Sequence, residues 1–206
     1  MFTETVSAGQ DPDMRARFQK MYQNRFTEGL DADARAFVES RTSFYMATVS
    51  ETGWPYIQHR GGPAGFLKAL DHETLAFADY TGNKQLISRG NLQNETRVSL
   101  FLMDYPRRAR LKLIGHATMI DASDDPALSA RLSTSGEGPV ERLTTIRVTA
   151  MDWNCPKYIQ PRFDETEVTH LVAPHLAKRD AAIQKLSHRL RVLGEDPDAI
   201  LEGPDP

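Results

Sequence analysis

The sequence predicts a mainly β (β+α) fold, a six-stranded antiparallel barrel with flanking helices. Three observations predict it. Six runs rich in β-branched and aromatic residues follow one another: 43–50, 54–60, 74–79, 97–103, 110–120 and 143–153. Only two helical patterns interrupt them, whereas a parallel doubly wound sheet needs a helix after nearly every strand. Between the first two runs, Glu51-Thr52-Gly53 suits a three-residue hairpin loop with glycine in the left-handed position.

Taken in order, residues 1–10 read as a disordered arm, and Asp11-Pro12 supplies an N-cap and a first-turn proline. Phe18, Met21, Tyr22 and Phe26 then fall at helical spacing, with Gly29 as the expected C-cap, and a second helix over 31–40 buries Phe37 and Val38. Asn83 to Asn94 and Pro126 to Ser133 are the two connecting helices, and the long strand 110–120 is expected to bend at Gly115. In the last strand Ile146, Val148 and Ala150 share a face. A helix from Pro174 to Leu193 closes the pattern, with Leu176, Ile183, Leu186, Leu190 and Leu193 as an apolar stripe ended by Gly194. This makes one domain with extensions: residues 1–41 an arm with helices, 42–163 the barrel, and 164–206 a helix and tail.

Composition narrows the function. With 206 residues, 40% hydrophobic and 26% charged, the chain can bury a core, and no apolar run approaches a membrane-spanning length. The first residues lack the basic start and apolar stretch of a secretory signal, and Cys155 is the sole cysteine, so a cytoplasmic protein is expected. A net charge of −3 gives no general attraction to nucleic acid. The six histidines show no metal-ligand spacing, and no metal site is expected.

Four segments carry candidate chemistry. Gln58-His59-Arg60-Gly61-Gly62-Pro63-Ala64-Gly65 places two cations beside glycines that permit close backbone approach to a planar ligand. Alone, it reads as a Gly/Pro turn. Since neighbouring strand residues face opposite sides, one of His59 and Arg60 points inward. Asp79 to Gln85 resembles an anion site at a strand end and helix start, with Lys84 adding charge; alone, Thr81 or Asn83 is merely a cap. In Arg107 to Lys112, Arg110 and Lys112 share the face opposite Leu111 and Leu113. Asp152 to Arg162 brings an indole, an amide and a guanidinium after the last strand, although core packing is the default for Trp153. Nothing near Cys155 in sequence equips it as a nucleophile.

In this order and spacing, SFYMATV, YIQHR, LAFADYTGNK, RVSLFLM and RLKLIGHA resemble the FMN-binding split-barrel family related to pyridoxamine 5'-phosphate oxidase, over roughly Thr42 to Arg162. The resemblance implies a six-stranded Greek-key split barrel and a homodimer holding FMN at the subunit interface. It implies that Arg60 and Lys84 hold the phosphate, with Asn83 and Gln85 nearby. Gln58, His59, Gly61 and Gly62 would line the flavin ring. Arg110 matches the polar position of the long strand, and Trp153, Asn154 and Arg162 would come from the partner subunit. Where true pyridoxamine 5'-phosphate oxidases carry Arg-Leu-His-Asp-Arg to grip the substrate phosphate, this chain reads NCPKYIQPRF, so the resemblance carries over the cofactor and not the vitamin B6 substrate. The family's basic residue before the lysine is Asn83 here.

The leading expectation is an FMN-dependent oxidoreductase acting on a small organic substrate, with His59 as candidate proton donor. The alternative is a non-catalytic barrel that stores or senses flavin or haem, since a shared fold does not settle function. A deazaflavin is a further alternative to FMN. A single-strand nucleic-acid module using Trp54, Tyr56 and Phe66 is the weakest reading.

Overall fold

The computed structural model describes residues 3–23, 29–82, 84–135, 138–153 and 156–198, with the backbone alone for 18–23. It divides into two compact units, Met1–Gln160 and Pro161–Pro206.

The first unit is built on one antiparallel sheet of seven strands: β1 (Ser43–Val49), β2 (Pro55–Gly61), β3 (Lys68–Ala69), β4 (Thr74–Tyr80), β5 (Arg97–Asp104), β6 (Ala109–Asp121) and β7 (Val140–Trp153). Six strands are expected; the seventh, β3, escapes sequence reasoning because two residues show no alternation. The hydrogen-bonded order is β2-β1-β5-β6-β7-β4-β3. β5 therefore returns beside β1 while β4 pairs with β7, and the curled sheet makes a split barrel.

The β1–β2 hairpin forms as expected. Ser50 N–H donates to Trp54 O at 2.9 Å, leaving Glu51-Thr52-Gly53 as the loop with Gly53 at φ +83°. Alternation in β1 turns Phe44, Met46 and Thr48 inward. Phe44 and Met46 join Leu75 and Phe77 of β4, Leu100 and Leu102 of β5, and Leu111 and Leu113 of β6 in one buried core. Phe44 meets Phe77 edge-to-face at 5.4 Å and stacks on Phe66 at 5.8 Å. Full burial of such a side chain contributes about 1.5–3 kcal/mol.

The expected bend in the long strand is a bulge. Register shifts between Ile114 and Gly115, so that Thr149 of β7 is the extra residue. A Cβ at position 115 would collide with the Arg147 carbonyl, which is why glycine stands there.

Helices α1 (Glu4–Ala8), α2 (Pro12–Gln23), α3 (Ala32–Glu39), α4 (Ile87–Asn94) and α5 (Pro126–Leu132) accompany the sheet. The arm expected to be disordered thus carries the short α1, whose first turn is capped by the Thr3 hydroxyl accepting from Val6 N–H. The end expected for α2 lies outside the described residues, as do the side chains of Phe18, Met21, Tyr22 and Phe26. Asp31 caps α3 by accepting from Ala34 N–H at 2.7 Å, and Ala34 and Val38 enter the core. α5 covers the opposite face of β4 and β7, where Leu132 packs with Ala76 and Leu143.

α4 begins later than the Asn83 start the sequence predicts. Lys84 at φ +57° and Leu86 at φ +55° are left-handed, so no helix passes through them, and Leu86 supplies no side-chain cap.

The second unit carries α6 (Glu165–Val192), which starts well ahead of the expected Pro174. Its true start is a capping box: Glu167 N–H donates to Asp164 Oδ1 at 2.8 Å and Asp164 N–H to Glu167 Oε2 at 2.9 Å. Pro174 lies inside the helix, and Gly194 at φ +83° follows it. Among the described residues, no helix is long and apolar enough to cross a membrane.

Candidate functional site

Strand alternation divides β2 between two faces. Tyr56, Gln58 and Arg60 pair in register with the core-facing Thr48, Met46 and Phe44, and so lie on the barrel's inner side. Ile57 and His59 take the outer side. Where the inner face of β2 approaches β4 and α4, the core opens into a cleft of about 250 Å³ lined by Gln58, Arg60, Asp79, Lys84, Ser88 and Arg142 among others.

Charge is concentrated there. Asp79 follows Leu75 and Phe77 at the two-residue period of β4, on the face that looks across the barrel. Arg60 Nη1 donates to Asp79 Oδ1 at 2.8 Å, and Arg142 Nε donates to Asp79 Oδ2 at 3.1 Å. Asp79 and Arg142 are direct register partners on β4 and β7. Beside them the register shifts between Asp79 and Tyr80, leaving Glu141 as the bulged residue. Glu141 reaches Arg142 Nη1 at 2.9 Å and accepts from the Thr81 hydroxyl at 2.9 Å. The Thr81 hydrogen bond, with the charges of Arg142 and Lys84, holds the Glu141 carboxyl below its ordinary value against a smaller opposing effect of desolvation.

Both arginine side chains are largely buried, each 11% exposed. The Arg60 guanidinium lies over the Phe77 ring, 5.4 Å from its centroid. Its Nε–H is buried without a hydrogen-bond partner among the described residues. A buried donor left unpaired costs about 1–3 kcal/mol. Along the same face of β2, Ser88 Oγ donates to Gln58 Oε1 at 2.8 Å, joining α4 to β2.

Two guanidiniums held by one aspartate, with a lysine and a buried unpaired N–H beside them, offer donors suited to an oxyanion such as a phosphate group.

The sequence-predicted residues fall into separate groups. Gln58, Arg60, Lys84 and Gln85 are together in the cleft. His59 is on the outer face beside Tyr45, with ring centroids 5.6 Å apart. Arg110 also faces outward, over the Phe101 ring at 5.5 Å, and its Nε–H is buried without a partner among the described residues. The glycine corner serves the fold: Gly62 N–H donates to Thr42 O at 3.0 Å and Gly65 N–H to Glu39 O at 2.7 Å. A Cβ at Gly62 would press into the Phe66 side chain, while Gly61 is the register partner of Ser43 in the β1–β2 pair. Trp153 packs edge-to-face on Phe37 at 4.9 Å. Arg162 belongs to the second unit, and Asn83 and Asn154 lie outside the described residues. Of the aromatics considered for stacking on nucleic-acid bases, Phe66 is buried in the core while Trp54 is exposed.

Arg142 and the pairing role of Asp79 escape sequence reasoning. The expected start of the last strand at Leu143 leaves Arg142 one residue outside it. The only available signal is the two-residue period that puts Asp79 on the face of Phe77.

Comparison with known proteins adds the following. The family model described as Pyridoxamine 5'-phosphate oxidase matches residues 30–153, more than half of the chain. No curated protein matches. Among solved structures, HupZ of Group A Streptococcus is similar at TM-score 0.49 and 14% identity, covering 65% of this chain and 99% of that one. An FMN-binding protein from Syntrophomonas wolfei is similar at TM-score 0.48 and 10% identity, covering 69% and 95%. A protein of Clostridium acetobutylicum related to general stress protein 26 is similar at TM-score 0.45 and 17% identity, covering 66% and 94%.

Proposed function

The chain belongs to the pyridoxamine 5'-phosphate oxidase family, and we propose that within it the protein is an FMN-dependent oxidoreductase acting on a small organic substrate. One observation carries the choice of a phosphorylated flavin: Arg60, Lys84 and Arg142 converge on one cleft, and Arg60 keeps a buried N–H with no partner among the described residues.

In this reading Arg60, Arg142 and Lys84 hold the phosphate, and Ser88 and Gln58 set the wall beside it. When bound, the flavin supplies the electron transfer. The chain's residues contribute binding, orientation and exclusion of water. Phe77 backs the Arg60 guanidinium with an apolar surface, which strengthens its hydrogen bonds by lowering the local dielectric.

The homodimer belongs to the same proposal. Tyr45 and Ile57 are 43% and 65% exposed on the outer face of β1 and β2. Register aligns His59, Tyr45, Phe101 and Lys112 in one row across that face. Packing two copies through this row would bury the apolar side chains and bring His59, the candidate proton donor, and Arg110 to the interface. A cytoplasmic location accords with the single cysteine.

The deciding experiment is the absorbance spectrum of the purified protein, followed by mass identification of what it releases on denaturation. A flavin spectrum with FMN released, or stoichiometric binding of added FMN, is expected. Absence of both sinks the proposal. Reduction by NADH or NADPH followed by substrate-dependent reoxidation separates an enzyme from a flavin store, in which the bound flavin would be inert to both.

A further inference from the structure

Asp79 poses an electrostatic problem for a phosphate site. Its carboxylate sits on the same two guanidiniums that would bind the anion, 2.8 Å from Arg60 Nη1 and 3.1 Å from Arg142 Nε. Counted as charge alone, it offsets their attraction and opposes any incoming phosphate. Geometry makes the opposite case. Asp79 gives one oxygen to each arginine, and the two arginines come from β2 and β7, which are not neighbours in the sheet. With the carboxylate between them, two long side chains that would otherwise sample many rotamers are held on one cleft wall. The bulge at Glu141 provides a second restraint, since Glu141 pairs with a different nitrogen of Arg142, Nη1, at 2.9 Å.

We propose that Asp79 is a positioning residue, which orients Arg60 and Arg142 as a preorganised pair for the cofactor phosphate and makes Arg142 part of that site. The proposal rests on the flavin reading above. A guanidinium has five N–H donors. Arg60 gives Nη1–H to Asp79 and retains the buried, unpartnered Nε–H. Binding strength then depends on where the donors stand as well as on net charge.

Charge and positioning predict opposite signs, which makes the test sharp. The affinities of FMN and riboflavin, which lacks the phosphate, are measured by fluorescence titration for the wild type, Asp79→Asn, Asp79→Glu and Arg142→Gln. The ratio of FMN to riboflavin affinity isolates the phosphate contribution, and retained riboflavin binding reports that the variant is folded.

Positioning predicts that Asp79→Asn lowers this ratio about tenfold, the loss of one charge-assisted hydrogen-bond arrangement. Asp79→Glu should restore part of it, and Arg142→Gln should lower it similarly. An unchanged or increased ratio in Asp79→Asn overturns the proposal while leaving the flavin reading intact. Should that variant not fold, an unchanged ratio in Arg142→Gln overturns it. A wild type that binds no FMN overturns the flavin reading, and this proposal with it.

Discussion

Arg60 on β2 donates to Asp79 on β4 at 2.8 Å, although β1, β5, β6 and β7 all stand between those strands in the hydrogen-bonded order. The contact spans the gap where no backbone ladder joins the sheet's ends. Side chains bridge it: the ion pair at the cleft, and Phe44 against Phe77 beneath. A single arginine therefore belongs to the barrel's closure and to the candidate site.

Replacing Arg60 should separate cofactor recognition from the flavin ring's own binding. Arg60→Ala is expected to weaken FMN binding by at least about tenfold, as expected for losing a charge-assisted contact, with a smaller effect on riboflavin. Fluorescence titration of both ligands checks this. Equal losses would assign Arg60 to the fold alone.

Lys84 combines a charge with a left-handed backbone at φ +57°. Lys84→Gly removes the charge and relieves a conformation that costs a non-glycine residue roughly 1 kcal/mol. FMN affinity should fall while thermal stability holds or rises slightly. A cooperative loss of stability would mean that the side chain supports the β4–α4 connection instead.

Gly115 lies against the Arg147 backbone at the bulge between β6 and β7. Gly115→Ala should destabilise the barrel by about 1–3 kcal/mol, the usual penalty for forcing atoms into a packed site. Denaturant unfolding measures it; a neutral result would show that the β7 backbone can withdraw at little cost.

Asp104 gives the clearest pH dependence. It is buried and pairs with Arg41 at 2.7 Å and Arg107 at 3.1 Å, tying the residues before β1 to the β5–β6 hairpin. Burial pushes its carboxyl up, but the Arg107 amide N–H and the two guanidiniums together hold it below the ordinary carboxylate value. A depressed folded-state pKa means that its contribution is fully present above the unfolded-state value of about 3.9 and is lost as pH falls through the folded-state value. Asp104→Asn should cost about 3 kcal/mol at neutral pH by leaving Arg41 inadequately paired, and the difference from wild type should shrink in acid. Melting temperatures of both proteins from pH 7 to pH 3 give the comparison, and a constant difference would refute the assignment.

Elements whose signals are local are legible in the chain before it folds. The β1–β2 hairpin with the glycine of its loop, and the glycine at the bend of β6, depend on residues close in the chain. Sequence order also sufficed for the family, through five spaced motifs. It placed one of His59 and Arg60 inward without saying which, because alternation has a period but no absolute phase. Pairing supplied the phase: Arg60 sits opposite buried Phe44 and His59 opposite outward Tyr45. Tertiary structure alone brought Arg142 to Asp79 and Asp79 to Arg60, since each contact joins residues distant in the chain through strand register and sheet curvature. It also moved the start of α4 beyond Lys84, where backbone conformation overrode a helix-like sequence. Local interactions write themselves into neighbouring residues; a site assembled from three strands becomes visible only when the sheet has curled.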